Sequence, residues 1–138
     1  MRPEIQGIVE SVLYADDLDA AASFYQDVLG LELVAEHAGM KVLKAGTGQN
    51  LLLFDRAAAE VDKDLPGGRV PGHRCDGPGH IAFHVSFADY DRWLETLKSH
   101  GVAIASEVRW PAGGRSLYLD DPADNVVELA TPGLWPNF

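Results

Sequence analysis

The chain reads as an α+β fold built from two consecutive βαβββ modules. Three observations predict it. A β-rich apolar run, an amphipathic helical segment and three further strand-like runs follow one another over residues 8–54, and the same order returns over 80–131. A glycine stops the helical segment both times (Gly30 and Gly101), and sliding the second half back by about 70 residues lays strand on strand. The 138 residues, 46% hydrophobic and 23% charged, have the composition of one globular unit with a core of its own.

Each element has its own signal. IVESVLYA (8–15) is a run of β-branched and aromatic types, and Asp16 and Asp17 follow as helix-start residues. Leu18, Ala21, Ala22, Tyr25, Val28 and Leu29 recur at helical spacing and give one apolar face, with Gly30 as the C-terminal stop. LELVAEHA, KVLKA and NLLLF then predict three strands, with turns at Gly39 and at Gly46-Thr47-Gly48-Gln49. In the second half HIAFHVS predicts a strand, and Asp89 opens a helix whose face carries Tyr90, Trp93, Leu94 and Leu97. VAIASEV, RSLYLDD and NVVELAT predict the last three strands, with Asp121-Pro122-Ala123-Asp124-Asn125 as the turn before the final one. The organisation is thus a first module over about 5–55, a linking loop over about 56–79, a second module over about 80–132 and a tail over 133–138. The loop has no clear periodicity after Ala59 and reads either as a linker or as a segment that covers a substrate.

Charge and cysteine content narrow the function. The formal net charge is −10, and such a field repels phosphate, which argues against nucleic-acid and anionic-membrane partners. One cysteine, Cys75, cannot form an internal disulfide, which suits a reducing compartment. The start, MRPEIQGIVE, lacks a secretory h-region, and no apolar run approaches the roughly 20 residues that span a bilayer. The expectation is a cytoplasmic protein with a small-molecule ligand.

Strand alternation sorts the polar residues. His80, Ala82 and His84 share one face of their strand, opposite Ile81, Phe83 and Val85. Val126, Glu128 and Ala130 share one face of the last strand, and Glu10, Val12 and Tyr14 share one of the first. Each strand therefore sets an ionisable group among apolar neighbours, where a lone charge is costly unless paired or bound to a metal. One imidazole and two carboxylates suit a divalent first-row ion with open coordination positions.

Taken together, E-S-V-L-Y-A-D-D-L-x5-F-Y-x2-V-L-G-L, G-P-G-H-I-A-F-H-V and G-G-R-S-L-Y-L-D-D-P-A-D-N-V-V-E-L resemble the vicinal oxygen chelate superfamily over residues 7–132. That superfamily includes glyoxalases, fosfomycin-modifying enzymes, epimerases, extradiol dioxygenases and bleomycin-binding proteins. The resemblance implies curved mixed sheets around a central cavity and metal ligands at Glu10, His80 and Glu128, although many relatives carry His where Glu10 stands. A fourth ligand of glyoxalases and epimerases falls in NLLLF, and aligning that run with NVVEL sets Leu53 opposite Glu128, leaving three ligands. The resemblance further implies bidentate chelation of a substrate's neighbouring oxygens by a divalent ion (Fe, Mn, Ni, Zn or Mg). It implies a homodimer as well. The alternative it offers is a metal-free protein that sequesters a drug.

Several residues keep two readings. Glu10 is a ligand, a general base or a sheet-edge charge. His84 is an acid/base group or a structural histidine, and Tyr118 either backs the ligand Glu128, as a tyrosine does at that offset in extradiol dioxygenases, or lies in the sheet with its hydroxyl in solvent. His73, Arg74 and Cys75 read as solvated loop, the alternative being a loose cluster that touches substrate, and His100 reads as a helix C-terminal residue. Trp110 and Arg115 read as flanks of a pocket mouth, and Trp135 as a tail residue that packs on this domain or on a partner subunit.

Overall fold

In the computed structural model, which describes residues 1–138, the two halves build two four-stranded sheets of identical internal order. The first module comprises β1 (Glu10–Ala15), α1 (Leu18–Asp27), β2 (Glu32–His37), β3 (Met40–Gly46) and β4 (Gln49–Asp55). The linking segment holds α2 (Arg56–Ala59), β5 (Lys63–Leu65) and β6 (Gly68–Val70). The second module comprises β7 (His80–His84), α3 (Tyr90–Ser99), β8 (Ser106–Arg109), β9 (Arg115–Asp120) and β10 (Val126–Ala130). The sheet orders are β1-β4-β3-β2 and β7-β10-β9-β8. In each, the first strand runs parallel to the last and the other pairs are antiparallel, so both sheets are mixed. This is the predicted α+β architecture. No helix is long and apolar enough to cross a membrane.

Local chemistry explains the boundaries. Asp17 caps α1 by accepting from the Ala20 amide at 3.0 Å. Gly30 and Gly101 follow α1 and α3 with φ of +73° and +70°, a conformation that glycine enters without steric cost. The start of α3 differs from expectation. Asp89 makes no capping bond there, because its carboxylate takes the Ser86 hydroxyl and Arg92 instead. β8 is shorter than VAIASEV suggested, running only Ser106–Arg109.

One core serves both modules. Leu13, Tyr25, Leu43, Leu51 and Leu53 join Leu97, Leu117, Leu119, Val127 and Leu129 in a single cluster of 16 buried residues. The strand alternation read from sequence puts Leu13, Val127 and Leu129 on the helix-facing sides of the sheets and leaves Glu10, His80 and Glu128 on the other sides.

A polar lock joins the modules inside this core. The Tyr25 hydroxyl donates to Asp121 Oδ2 at 2.6 Å, and Asn125 Nδ2 donates to the same oxygen at 2.9 Å. The amides of Ala123 and Asn125 donate to Asp121 Oδ1 at 2.8 and 2.9 Å. Asn125 Nδ2 also reaches the Tyr14 carbonyl at 3.1 Å, and Asn125 Oδ1 accepts from the Gly79 amide at 2.8 Å. The turn read as Asp-Pro-Ala-Asp-Asn is thus the point where α1, β1 and the start of β7 meet.

The linking segment carries more regular structure than its aperiodic sequence suggests. Asp55 caps α2 through the Ala58 amide at 2.9 Å, and Asp64 pairs with Arg69 across the β5–β6 hairpin at 2.8 Å. Elements of three or four residues are too short to leave a periodic signature. The return limb is fastened to the first sheet, contrary to the expectation of a solvated loop around His73. The Tyr14 hydroxyl and His73 Nδ1 lie 2.5 Å apart, and the His73 ring stands edge-on to Phe54 at 4.6 Å. Arg56 donates to the Cys75 carbonyl, and a side chain at Gly72 would collide with the Glu60 carbonyl. Replacing His73 with alanine is expected to speed tryptic nicking within 56–79 about tenfold while moving the global unfolding free energy by less than about 1 kcal/mol. Unchanged nicking would show that the imidazole does not hold the limb.

Candidate functional site

His80 and Glu128 meet on the second sheet because β7 and β10 pair in parallel, with His80 opposite Val126 and Ala82 opposite Glu128. Both side chains project from the face away from the core. His80 Nε2 lies 3.3 Å from Glu128 Oε1, with the imidazole 52% exposed and the carboxylate only 6% exposed. His80 Nδ1 lies 3.0 Å from the Val126 carbonyl oxygen. A carbonyl only accepts, so Nδ1 carries the proton in that contact. In the neutral imidazole the Nε2 lone pair then points at a carboxylate oxygen. Two acceptors face each other, an arrangement that a shared proton or a cation stabilises.

Glu128 has no lysine or arginine partner, and its only ion-pair contact is His80. The Ser116 hydroxyl donates to Glu128 Oε2 at 2.6 Å. Tyr118 is directly opposite Glu128 in the β9–β10 ladder, and its ring stacks on His80 with centroids 6.3 Å apart. Burial, then the nearby Glu128 charge, hold the Tyr118 hydroxyl above its ordinary value of 10.0.

The other sequence-predicted residues lie elsewhere. Glu10 is exposed at the start of β1, opposite Asn50 of β4, on the first sheet. His84, at the end of β7, stands edge-on to Phe138 at 4.7 Å. Glu10 and His84 border one cavity of about 270 Å³ together with Ser11, Gln49, Asn50 and Phe83. No group of three His, Cys, Asp or Glu side chains within a single chain has metal-binding geometry. The chain thus brings His80 and Glu128 together and leaves Glu10 on the other module.

Two expectations need correction. The β1–β4 register pairs Glu10 with Asn50 and Val12 with Leu52, as β7–β10 pairs His80 with Val126 and Ala82 with Glu128. Leu52, not Leu53, therefore matches Glu128. Leu53 faces the core and is 1% exposed. A slip of one residue exchanges the faces of a strand, and the ungapped alignment of NLLLF with NVVEL made that slip. The position still carries leucine. Arg115 does not flank a pocket mouth: its guanidinium sits 3.9 Å from the centre of the Tyr90 ring and pairs with Asp91 at 3.2 Å, on the helix side of β9. His100 does close α3, with Nδ1 2.9 Å from the Thr96 carbonyl.

Sequence reading missed Ser116. The signal was present, since Ser116 and Tyr118 are two apart in RSLYLD and must share a face. Nothing local showed that Glu128 would need the hydroxyl.

The donor set fits a divalent first-row cation. A buried carboxylate without a fixed cationic partner faces an imidazole lone pair, and the imidazole is oriented from behind by a backbone carbonyl, as metal-bound histidines are. His80 and Glu128 supply two ligands, and any further one comes from outside this pair.

Residues 7–129 match the family described as the glyoxalase/bleomycin resistance protein/dioxygenase superfamily. The chain is 39% identical to the crystal structure of a lactoylglutathione lyase from Agrobacterium tumefaciens, with a TM-score of 0.87 over 97% of this chain and 99% of that one. It is 28% identical over 126 residues to a lactoylglutathione lyase of Haemophilus influenzae, covering 88% of this chain and 90% of that one. It is 26% identical over 129 residues to the metallothiol transferase FosB of Staphylococcus epidermidis, covering 93% of this chain and 83% of that one. Repeat, sheet order and sequence likeness agree, and the chain belongs to the glyoxalase/bleomycin resistance protein/dioxygenase superfamily.

Proposed function

We propose that the protein is a divalent-metal-dependent enzyme acting on a small molecule that offers two neighbouring oxygens. The buried Glu128 carboxylate facing the His80 Nε2 lone pair at 3.3 Å carries this reading. His80 and Glu128 hold the ion, and Glu10 of a second copy completes a three-ligand set in a homodimer. The family likeness and the named lyase and transferase relatives support it. When bound, such an ion polarises a substrate oxygen and stabilises negative charge that develops there. The rest falls to the chain. Ser116 and the Val126 carbonyl orient the two ligands. Tyr118 keeps its proton at neutral pH beside the carboxylate and is placed to hold a hydrogen bond to a bound oxygen. His84, bordering the same cavity as Glu10, is the second candidate to move a proton. Leucine at position 52 withholds a fourth donor, so likeness to the lyases does not by itself assign lyase chemistry. A metal-free drug-binding groove gives no reason for a buried carboxylate opposite an imidazole lone pair, and that alternative is not favoured.

Elemental analysis tests the metal, and subunit mixing tests the sharing. Protein purified without chelator should carry close to one equivalent of a first-row divalent ion per chain, and less than about a tenth of an equivalent would overturn the reading. Glu10→Ala and Glu128→Ala chains, each unable to bind alone, should regain about a quarter of the wild-type metal content when refolded together, since each mixed dimer rebuilds one site. No recovery would place Glu10 outside the ligand set or show that the site is not shared.

A further inference from the structure

We propose that Trp110 and Ser116 form a positioning relay that decides which oxygen of Glu128 is offered to a cation. The inference rests on the metal reading above and adds residues to it that neither the family likeness nor the sequence pattern assigned.

The direction of the relay follows from chemistry. The Trp110 indole N–H donates to Ser116 Oγ at 2.8 Å, and an indole nitrogen can only donate. The Ser116 hydroxyl donates to Glu128 Oε2 at 2.6 Å, and an ionised carboxylate can only accept. With its one proton committed to Glu128, Ser116 receives the indole on a lone pair. The chain of bonds therefore runs one way, from Trp110 through Ser116 to Glu128, and each bond polarises the next.

Burial makes the relay rigid. Ser116 is 0% exposed and Glu128 5% exposed, so water does not compete for either partner. Ser116 is clamped in the sheet between Val108 of β8 and Ala130 of β10. Trp110 is held by the turn that follows β8: its amide donates to the Gly114 carbonyl at 2.8 Å, and its carbonyl accepts from the Gly113 amide at 2.9 Å. The Gly114 amide in turn donates to the Gly133 carbonyl at 3.0 Å, which ties the turn to the C-terminal tail. With Oε2 engaged from below, the carboxylate cannot rotate freely, and Oε1 stays beside His80 Nε2. Trp110 and Ser116 stand behind the carboxylate, on the oxygen turned away from His80. They act through Glu128 and are positioning residues.

The test uses Co2+ as probe on the full-length protein stripped of metal, with affinity read by titration and geometry read from the visible absorption bands of the bound ion. Ser116→Ala should weaken Co2+ binding about 10- to 100-fold and alter the band pattern, and Ser116→Thr should restore affinity to within about threefold of wild type. Trp110→Phe should weaken binding about three- to tenfold, and this loss should vanish in the Ser116→Ala background because the two groups act in series. Additive losses, or a Ser116→Ala protein within about twofold of wild type, would overturn the relay while leaving the metal reading intact. If Ser116→Ala does not fold, Ser116→Thr and Trp110→Phe decide the question through the band pattern, which a purely structural contribution would not move. Wild-type protein that fails to take up Co2+ would overturn the metal reading and the relay with it.

Discussion

Replacing Asp121 with alanine is expected to lower the unfolding free energy by about 3 to 5 kcal/mol, read from urea unfolding at neutral pH. Asp121 is only 4% exposed and accepts four hydrogen bonds, from Tyr25, from the Asn125 side chain and from the amides of Ala123 and Asn125. Alanine strands those donors in the interior, and each stranded donor costs about 1 to 3 kcal/mol, less where Asn125 keeps its bond to the Tyr14 carbonyl. The loss also unties the two modules, because the lock joins α1 and β1 to the turn before β10. Tyr25→Phe removes a single bond and is expected to cost about 1 to 2 kcal/mol. Its signature is pH dependence. Burial first, and then the Asp121 charge and hydrogen bond, push the Tyr25 hydroxyl far above 10.0. Below pH 10 both folded and unfolded chains keep this proton, and its contribution is intact. Above pH 10 the unfolded chain ionises first, so stability falls as pH rises toward the folded value. Tyr90, pushed up to about 12 by burial and by its bond to Glu107, adds to the same alkaline loss. The wild type should therefore lose stability more steeply than Tyr25→Phe between pH 8 and pH 11. Parallel curves would remove Tyr25 from the account. An Asp121→Ala protein within 1 kcal/mol of wild type would show that the turn re-pairs its donors with water.

Glu128→Ala is expected to abolish metal uptake, a loss of at least about a thousandfold in affinity, while leaving the fold standing. The carboxylate is desolvated with no lysine or arginine beside it, so in the absence of metal it contributes little net stability. Its removal strands only the Ser116 hydroxyl, which can turn toward other acceptors. Thermal unfolding with and without added metal separates the two effects. At metal concentrations a hundred times the dissociation constant, the wild type should gain about 2.7 kcal/mol, and Glu128→Ala should gain none. His80→Ala should behave similarly, with a smaller loss of affinity because its ring is half in water. A Glu128→Ala protein that fails to fold would make the glutamate structural, and one that keeps its metal-dependent gain would place the ion elsewhere.

Much of the fold was legible because its signals are local. Gly30 and Gly101 end helices wherever the chain goes next, and alternation in HIAFHV and NVVELAT already assigned Ile81, Phe83, Val127 and Leu129 to the core side. The same rule put His80 and Glu128 on the free faces. It could not fix the register between strands, which is why Leu53 stood where Leu52 belongs. The linking segment was the least legible part. His73 is a polar residue in a glycine- and proline-rich stretch, and only the arrival of Tyr14 and Phe54 from β1 and β4 gives its imidazole a packed place.

By itself the sequence determined the repeat, the order of its elements, the face on which each ionisable side chain stands and the family to which those motifs point. These follow from the two-residue period of strands, the 3.6-residue period of helices and the few residues that end them. Tertiary structure alone decided that His80 and Glu128 share a contact, that Ser116 and Trp110 stand behind the carboxylate and that Glu10 does not join the pair within one chain. A period specifies a direction relative to the sheet. A site depends on distances between strands far apart in sequence, and those are set by how the sheets pair and pack.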